Sequence, residues 1–388
     1  MHFMFFSAQY LPTVGGVERY TASLGKELVK NGHRVTVVTS ALPGLPAEET
    51  GADGIAVIRL PVIPLIGGRF PVLRLSSQKA AFKKLFVQHK PDFCVIQTRF
   101  YTNSIMAARL CKKHRVPALV VEHGTAHLMR GGLTGILGDV YEHLVCRYIH
   151  GKCLDFYGVS VACCDWLRHF GIETDRVLYN SVTPAELRAL AEKGAGQLHE
   201  KLPAGIENKV KFVFSARFIP EKGVEPLLHA FGRVRENHPD AVLLMAGDGP
   251  LWQKADADKP ENVYLLGRLS YEANLALIAM GDAFVLPTFS EGFATTVLEA
   301  AALGTVVLTT PTGGSPQLIP DAEHGCLFPS MAEEDIFEAL EAALADAEWR
   351  RRAAAAAYDN LLHNFTWEET CRRLVATARQ KTGEEKKA

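Results

Sequence analysis

Two carboxylates eight residues apart, Glu291 and Glu299, lie in the stretch FSEGFATTVLEAAALG from Phe289 to Gly304. Glu291 sits in a Ser-Glu-Gly-Phe turn and Glu299 in a segment of helical pattern. Three readings fit such a pair: an acid and a base, two unrelated surface charges, or two ends of one ligand grip. Upstream, SARFIPEKG supplies Arg217 and Lys222. Arginine offers a planar fork of donors and lysine a compact charge, and together they suit a diphosphate. Gly15 and Gly16 precede a helical run, where backbone N–H groups can approach an anion at the helix N-terminus. His123 follows the apolar run ALVVE. Taken alone, these features have plainer accounts: a strand-end histidine with its bonds satisfied, a glycine turn, a surface arginine, a solvated helix glutamate. Asp256 and Asp258 in KADADKP resemble an Asp-x-Asp metal site, but no strand precedes them, and the polar, proline-bounded stretch reads as a solvated loop. No G-x-G-x-x-G or G-x-x-x-x-G-K-[ST] fingerprint occurs, which argues against NAD, FAD and P-loop nucleotide binding.

The elements that must position these residues alternate along the chain. HFMFFSA reads as a strand, and the helix after it carries Val17, Tyr20, Leu24 and Leu28 at helical spacing with Gly32 as a stop. HRVTVVTS, AVIRLP, DFCVIQT and ALVVEHG read as further strands, LSSQKAAFKKLFVQHKP as a basic amphipathic helix and NSIMAARLCKKHRVP as another helix. Short strands are expected near Phe156–Ser160 and Val177–Tyr179, then a polar stretch from Glu186 to Asn208. KVKFVFSAR restarts the pattern, followed by AVLLMAG, NVYLLGRL, AFVLPT, TVVLTT and GCLFP. Glu333 to Lys381 is helical throughout, and the end, residues 383–388, reads as a disordered tail. Continuous apolar strands between helices predict parallel sheets covered on both faces. The fold class is therefore α/β: two Rossmann-like, doubly wound domains, 1–183 and 184–365, facing a central cleft. In such sheets ligands bind beyond the carboxyl ends of the strands, so the loops after the strands should carry the chemistry.

Composition bounds the rest. At 388 residues with 48% hydrophobic and 22% charged residues, the chain is long enough for two domains and needs no metal or disulfide staple. Its eight cysteines form no CxxC pair, which fits reduced, buried thiols in a cytosolic protein. The start lacks a basic leader, and no window has the roughly 18 apolar residues of a membrane span. The net charge of −1 hides a split: residues 1–180 carry 21 Lys and Arg against 13 Asp and Glu, whereas 181–388 carry 21 against 30. From Ile55 to Pro91 there are seven basic residues (Arg59, Arg69, Arg74, Lys79, Lys83, Lys84, Lys90) and no acid. That asymmetry fits either an anionic membrane surface as partner or a simple solvated face.

Several segments in order, TVGGVERYTASLGKELVKNGHRVTVVT, SARFIPEKGVEPLLHAF, AGDGP, LLGRLS, DAFVLPTFSEGFATTVLEAAALGTVVLTT and GGSPQLI, make the chain resemble the retaining glycosyltransferases of family 4, which have the GT-B architecture. The resemblance covers nearly the whole chain, and its most specific piece is the Glu-x7-Glu signature, Glu291 to Glu299. It implies that Gly15 and Gly16 approach the donor diphosphate and the transferred sugar, and that His123 contacts the sugar near the reacting carbon. Arg217 and Lys222 would neutralise the leaving group, Glu291 would face sugar hydroxyls and Glu299 would bind the ribose. The backbone of Gly292, Phe293, Ala294 and Thr295 would cap the phosphates, and Gly247 and Gly249 of AGDGP would join the donor site. Asn180 matches a junction motif in which Ser181 replaces the usual glycine, and Gln317 stands where the family usually has a glutamate. The helix over 366–382 would cross back to the first domain.

The reaction so implied moves a hexose-type sugar from a nucleotide diphosphate donor to a hydroxyl of a glycan or lipid-linked acceptor, with retention, as in cell-envelope polysaccharide or glycolipid synthesis. A UDP-sugar is the favoured donor and GDP-mannose the other. The fixed cations would replace a divalent metal, so no metal and no cofactor is expected. Glu291 and Glu299 do not resemble the nucleophile and acid of retaining glycosidases, which stand about 5 Å apart. Two other readings stay open on the same architecture: a nucleotide-sugar epimerase or phosphorylase, and a non-catalytic nucleotide-sugar-binding protein. No nucleic-acid partner is implied. The place of work would be the cytoplasm or the inner face of the plasma membrane.

Overall fold

The computed structural model describes residues 1–13, 15–65, 70–74, 85–127, 132–152 and 154–383. They divide into two compact units, one of Met1–Asn180 plus the C-terminal helix from Trp367, the other Ser181–Thr366.

The first strand shows why the first unit forms. All five residues of β1 (His2–Phe6) are buried. Side chains alternate faces along a strand, so its apolar residues split between two cores. Phe3 and Phe5 pack with Tyr20, Leu24, Leu28, Trp367 and Leu374, while Met4 and Phe6 pack with Phe86, Ala107, Cys111 and Val145. Fully burying such a side chain is worth about 1.5–3 kcal/mol, so a strand apolar on both faces is stable only as the centre of a covered sheet. Around it lie α1 (Gly16–Lys30), β2 (Arg34–Ser40), β3 (Glu48–Thr50), β4 (Ala56–Leu60), a hairpin of β5 (Val62–Leu65) and β6 (Phe70–Leu73), β7 (Phe93–Gln97), α2 (Thr102–His114), β8 (Ala118–Glu122), α3 (Gly132–His150), β9 (Asp155–Gly158) and α4 (Val161–Arg168). The sheet order is β3-β4-β2-β1-β7-β8-β9. Its pairings are parallel except for the exposed edge strand β3, which runs antiparallel to β4. Phe3 stands between Val35 and Phe93 in register.

The second unit repeats the scheme. Its elements are α5 (Pro184–His199), β10 (Val210–Ser215), a 3₁₀ turn (Pro220–Lys222), α6 (Val224–Asn237), β11 (Ala241–Ala246), α7 (Trp252–Asp258), β12 (Val263–Gly267), α8 (Tyr271–Met280), β13 (Ala283–Leu286), α9 (Thr295–Leu303), β14 (Val306–Thr309), α10 (Ser315–Leu318), β15 (Cys326–Leu327), α11 (Glu333–Ala345) and α12 (Ala347–Asn364). The strand order β12-β11-β10-β13-β14-β15 is wholly parallel. The last helix, α13 (Trp367–Thr382), packs on α1, with Trp367 edge-on to Tyr20 at 5.2 Å between ring centroids.

Several local expectations are corrected. The supposedly polar stretch after Glu186 is mostly helix α5, whose buried Leu187, Ala191, Gly194 and Leu198 keep helical spacing, with the small Ala191 and Gly194 between the two leucines weakening its amphipathic pattern. A Cβ on Gly194 would lie 2.1 Å from the Glu272 carbonyl, so α5 and α8 touch at backbone distance. Asp256 and Asp258 are not in a loop but in α7, whose Ala255 is buried. Val177 makes only an isolated bridge with Gly158 rather than a strand. Of the basic helix expected after Leu75, residues 85–89 are helical; residues 75–84, with Lys79, Lys83 and Lys84, and also Arg69, Cys153 and 384–388, lie outside the described residues. The other seven cysteines are free thiols, six of them buried. Among the described residues no helix is long and apolar enough to cross a membrane.

Candidate functional site

In the second unit the loops after β10, β11 and β13 and the start of α9 carry the candidate donor residues. After β10 the chain makes a backbone clamp: the Phe218 amide donates to the Asp248 carbonyl at 2.9 Å, and Leu251 N–H donates back to Phe218 O at 3.0 Å. Gly247 has φ 142°, and a Cβ there would sit 1.9 Å from the Ala216 carbonyl oxygen. Only glycine allows the AGDGP loop to lie this close to the chain that presents Arg217. Gly249 N–H donates to Asp248 Oδ1 at 2.7 Å. Arg217 itself is exposed, and its guanidinium has no ion-pair partner among the described residues.

Lys222 ends the 3₁₀ turn and is followed by Gly223, whose φ of 63° turns the chain into α6. A Cβ on Gly223 would be 2.3 Å from the Pro287 carbonyl oxygen, so the turn is pressed against the loop after β13. Two further bonds stitch them: Thr288 Oγ1–H donates to the Glu221 carbonyl at 3.0 Å, and Phe289 N–H donates to the same carbonyl at 3.3 Å. The result brings Lys222 Nζ onto the Glu291 carboxylate, with Thr288 Oγ1 3.5 Å from the ammonium. Lysine and glutamate side chains are 14% and 23% exposed, so the pair is mostly withdrawn from water yet still reachable.

Glu299 is the fifth residue of α9, just over one turn from its N-terminus. Its side chain is buried, and Tyr271 on α8 donates its hydroxyl to Oε1 at 3.0 Å. Ala294 caps α9 with no side-chain hydrogen bond, so the positive end of the helix is not consumed by a capping side chain. Phe293 and Ala294 are buried, and Phe293 meets Phe365 edge-on at 5.4 Å. Gly292, Phe293 and Ala294 thus lead directly into Thr295, the first helical residue.

In the first unit, Gly15 is the N-cap of α1 and Gly16 its first residue. Glu18 folds back over this turn: a Cβ on Gly15 would touch its carboxylate. Burial raises the Glu18 pKa, which its own backbone N–H partly counters. His123 follows β8. Part of the residue is solvent-exposed, but its ring is enclosed: Nε2–H donates to Gln97 Oε1 at 2.6 Å, and the ring stands edge-on to Tyr20 at 4.8 Å. Desolvation drives the imidazole pKa down to about 3, so His123 is neutral near pH 7. Beneath it, Glu122 Oε1 accepts from the His123 and Gly124 amides, each at 3.1 Å. Glu122 is in turn held by the fully buried Arg99, which also pairs with Glu142, both at 2.5 Å. Asn180, the last residue of this unit, is buried, and its amide donates to Val159 O at 3.3 Å.

Residues 14–186 match the family described as Glycosyltransferase Family 4, and residues 199–360 match Glycosyl transferases group 1. The chain belongs to the family 4 glycosyltransferases. An uncharacterized glycosyltransferase of Methanocaldococcus jannaschii is 21% identical over 379 residues, covering 94% of this chain and 95% of the relative. A GDP-mannose-dependent alpha-(1-6)-phosphatidylinositol monomannoside mannosyltransferase of Mycolicibacterium smegmatis is 26% identical, with 94% of each chain covered. The solved structure of Anabaena HepE in complex with UDP superposes with a TM-score of 0.73 at 18% identity, covering 98% of this chain and all of that one, and carries the GT-B fold.

Within this glycosyltransferase, four groups were not singled out from the sequence: Tyr271 on Glu299, Thr288 beside Lys222, Gln97 on His123, and the Arg99 bridge. Arg99 and Gln97 had one usable signal, their place just after and at the end of an apolar strand. Tyr271 had none, because it reaches Glu299 from a different helix.

Proposed function

We propose that this glycosyltransferase moves a hexose-type sugar from a nucleotide diphosphate donor, a UDP-sugar or GDP-mannose, to a hydroxyl of a glycan or lipid-linked acceptor with retention at the anomeric carbon. The observation that carries this reading is the grouping on one sheet's carboxyl-end loops of an open arginine, Arg217, a lysine–glutamate pair, Lys222 and Glu291, and a buried carboxylate, Glu299, at the start of α9. Departure of a diphosphate needs fixed positive charge, which Arg217, Lys222 and the α9 N-terminus supply without a divalent metal. Glu299, held by Tyr271, takes the two ribose hydroxyls. Glu291, released from Lys222 by the incoming phosphates, faces the sugar. His123 contributes as a neutral group near the reacting carbon, with Gly15 and Gly16 on the diphosphate. The acceptor hydroxyl loses its proton to the departing phosphate. One relative named for GDP-mannose and one neighbour solved with UDP support both donor classes.

The work belongs on the cytoplasmic face of a membrane. Besides its basic excess, the first unit presents an exposed apolar row on α3, Ile136, Leu137, Val140, Leu144 and Tyr148, beside Arg147 and Lys152, as a lipid surface would need. A thermal-shift panel of UDP-, GDP- and ADP-sugars tests the donor: at a hundredfold excess over Kd the bound state gains about 2.7 kcal/mol. Anomeric analysis of the product in EDTA tests retention and metal independence. Absence of any shift, or an inverted product, overturns the reading; no co-sedimentation with anionic vesicles at low salt removes the membrane.

A further inference from the structure

Outside the transfer machinery, the first unit gathers three imidazoles around one carboxylate. Asp139 and His143 lie one turn apart on α3, His127 lies in the loop after β8, and His169 is the C-cap of α4. Asp139 Oδ1 is 3.3 Å from His127 Nε2, 3.0 Å from His143 Nδ1 and 4.0 Å from His169 Nε2. One donor atom each from His127, Asp139 and His169 fall within 4.8 Å of one another. In a tetrahedral zinc site with metal–ligand bonds near 2.0–2.1 Å, neighbouring donors stand about 3.3 Å apart. Asp139 Oδ1 is sealed from solvent although the side chain is about half exposed, and it makes no hydrogen bond of good geometry among the described residues. The rings are set by aromatic packing: His169 stacks on Trp166 at 5.1 Å, and His127 stands edge-on to Trp166 at 4.9 Å.

A second observation points the same way. Metal-bound histidines usually aim their other ring nitrogen at a carboxylate. With Nε2 turned to Asp139, His127 turns Nδ1 to Glu142 Oε2 at 3.6 Å. That Nδ1 is buried and otherwise without a hydrogen-bond partner among the described residues. Glu142 is anchored by Arg99, which continues through Glu122 to the amides of His123 and Gly124.

We propose that His127 Nε2, Asp139 Oδ1 and His169 Nε2 form a transition-metal site of the zinc class, with water in the fourth position. His143, whose Nδ1–H donates to the Asp139 backbone carbonyl at 3.0 Å, orients the aspartate rather than ligating. Two imidazoles and a carboxylate suit Zn²⁺ or Co²⁺ over Mg²⁺ or Ca²⁺, which prefer all-oxygen shells. The site lies in the first unit, where His127 follows His123 in the loop after β8, so the metal holds that loop.

Titration of the full chain with Co²⁺ alone tests this. The expected result is one Co²⁺ per chain with the intense visible bands of four-coordinate cobalt, bleached by stoichiometric Zn²⁺. His127→Gln or His169→Gln should weaken binding by at least about 100-fold, and His143→Ala by about tenfold. His169 is on the surface, so its variant decides the matter if His127→Gln fails to fold. Absence of stoichiometric cobalt in the wild type, or wild-type affinity in His169→Gln with an unchanged far-ultraviolet circular dichroism spectrum, overturns the assignment.

Discussion

Replacing Lys222 by alanine separates chemistry from stability more cleanly than any other change at the donor site. The ammonium sits on the Glu291 carboxylate with both side chains largely, though not fully, withdrawn from water. Two unit charges about 4 Å apart at an effective dielectric of about 20 interact by about 4 kcal/mol, and a diphosphate arriving at Nζ competes with Glu291 for that energy. What survives the competition is of the size measured for a single charge-stabilising donor, about 2.7–4 kcal/mol, or 10²–10³ in turnover. The effect on folding is smaller. A pair that keeps some exposure is worth about 1 kcal/mol at most, which in a unit of this size moves Tm by about 2–4 °C. The assay is initial-rate release of nucleoside diphosphate at saturating donor, run beside a thermal melt. Lys222→Arg should recover only part of the loss, since a planar fork replaces a point charge in a pocket built around Nζ. Near-wild-type turnover in Lys222→Ala with an intact melt would refute the reasoning, because the positive charge would then be dispensable for leaving-group departure.

Four other outcomes are expected. Tyr271→Phe removes the hydroxyl that holds Glu299 and should weaken nucleoside diphosphate binding by about 1 kcal/mol in calorimetry, with little change in Tm. Gly247→Ala forces a Cβ onto the Ala216 carbonyl and should cost at least about 3 kcal/mol in urea unfolding, lowering the midpoint with the slope unchanged. Arg99→Met leaves Glu122 and Glu142 buried without their shared cation and should cost about 3–5 kcal/mol. The His123 imidazole is pushed down to about 3 in the folded chain, below its unfolded value of 6.5, so the unfolded state binds the extra proton between those limits. Its contribution is therefore complete above pH 6.5 and falls as the pH drops, by about 1 kcal/mol between 6.5 and 5 once partial exposure is discounted. His123→Gln should flatten urea-derived stability over that window, and an unchanged slope would contradict the enclosure of the ring.

What could be read from the sequence was whatever expresses itself locally. A strand such as HFMFF, apolar on both faces, can only be central in a covered sheet, and the alternation with helices then yields parallel order. The Glu-x7-Glu spacing likewise fixes which loop and which helix carry the two carboxylates. Helix α5 escaped because only two leucines, Leu187 and Leu198, mark its buried face, and Ala191 and Gly194 between them carry little hydropathy signal, although Gly194 allows the backbone contact with α8. Edge strand β3 escaped because Glu48, Glu49 and Thr50 bury nothing. The pairing of Lys222 with Glu291 escaped for a third reason: it joins residues 69 apart in sequence, and only the parallel crossover from β10 to β13 makes them neighbours.

That last contact changes what the signature means. The family resemblance implied Glu291 as one end of a donor grip and Lys222 as a charge for the diphosphate, two separate roles. In the structure each occupies the other, while Arg217 is left open and Glu299 is held by Tyr271. Under the proposed roles, a phosphate reaching Nζ competes with this carboxylate, and the carboxylate is the group assigned to the sugar. On that reading, donor binding and the release of Glu291 are coupled. The arrangement ties the sugar contact to the presence of the diphosphate, so a nucleoside diphosphate should bind better to Glu291→Gln than to the wild type, even as that variant loses transfer.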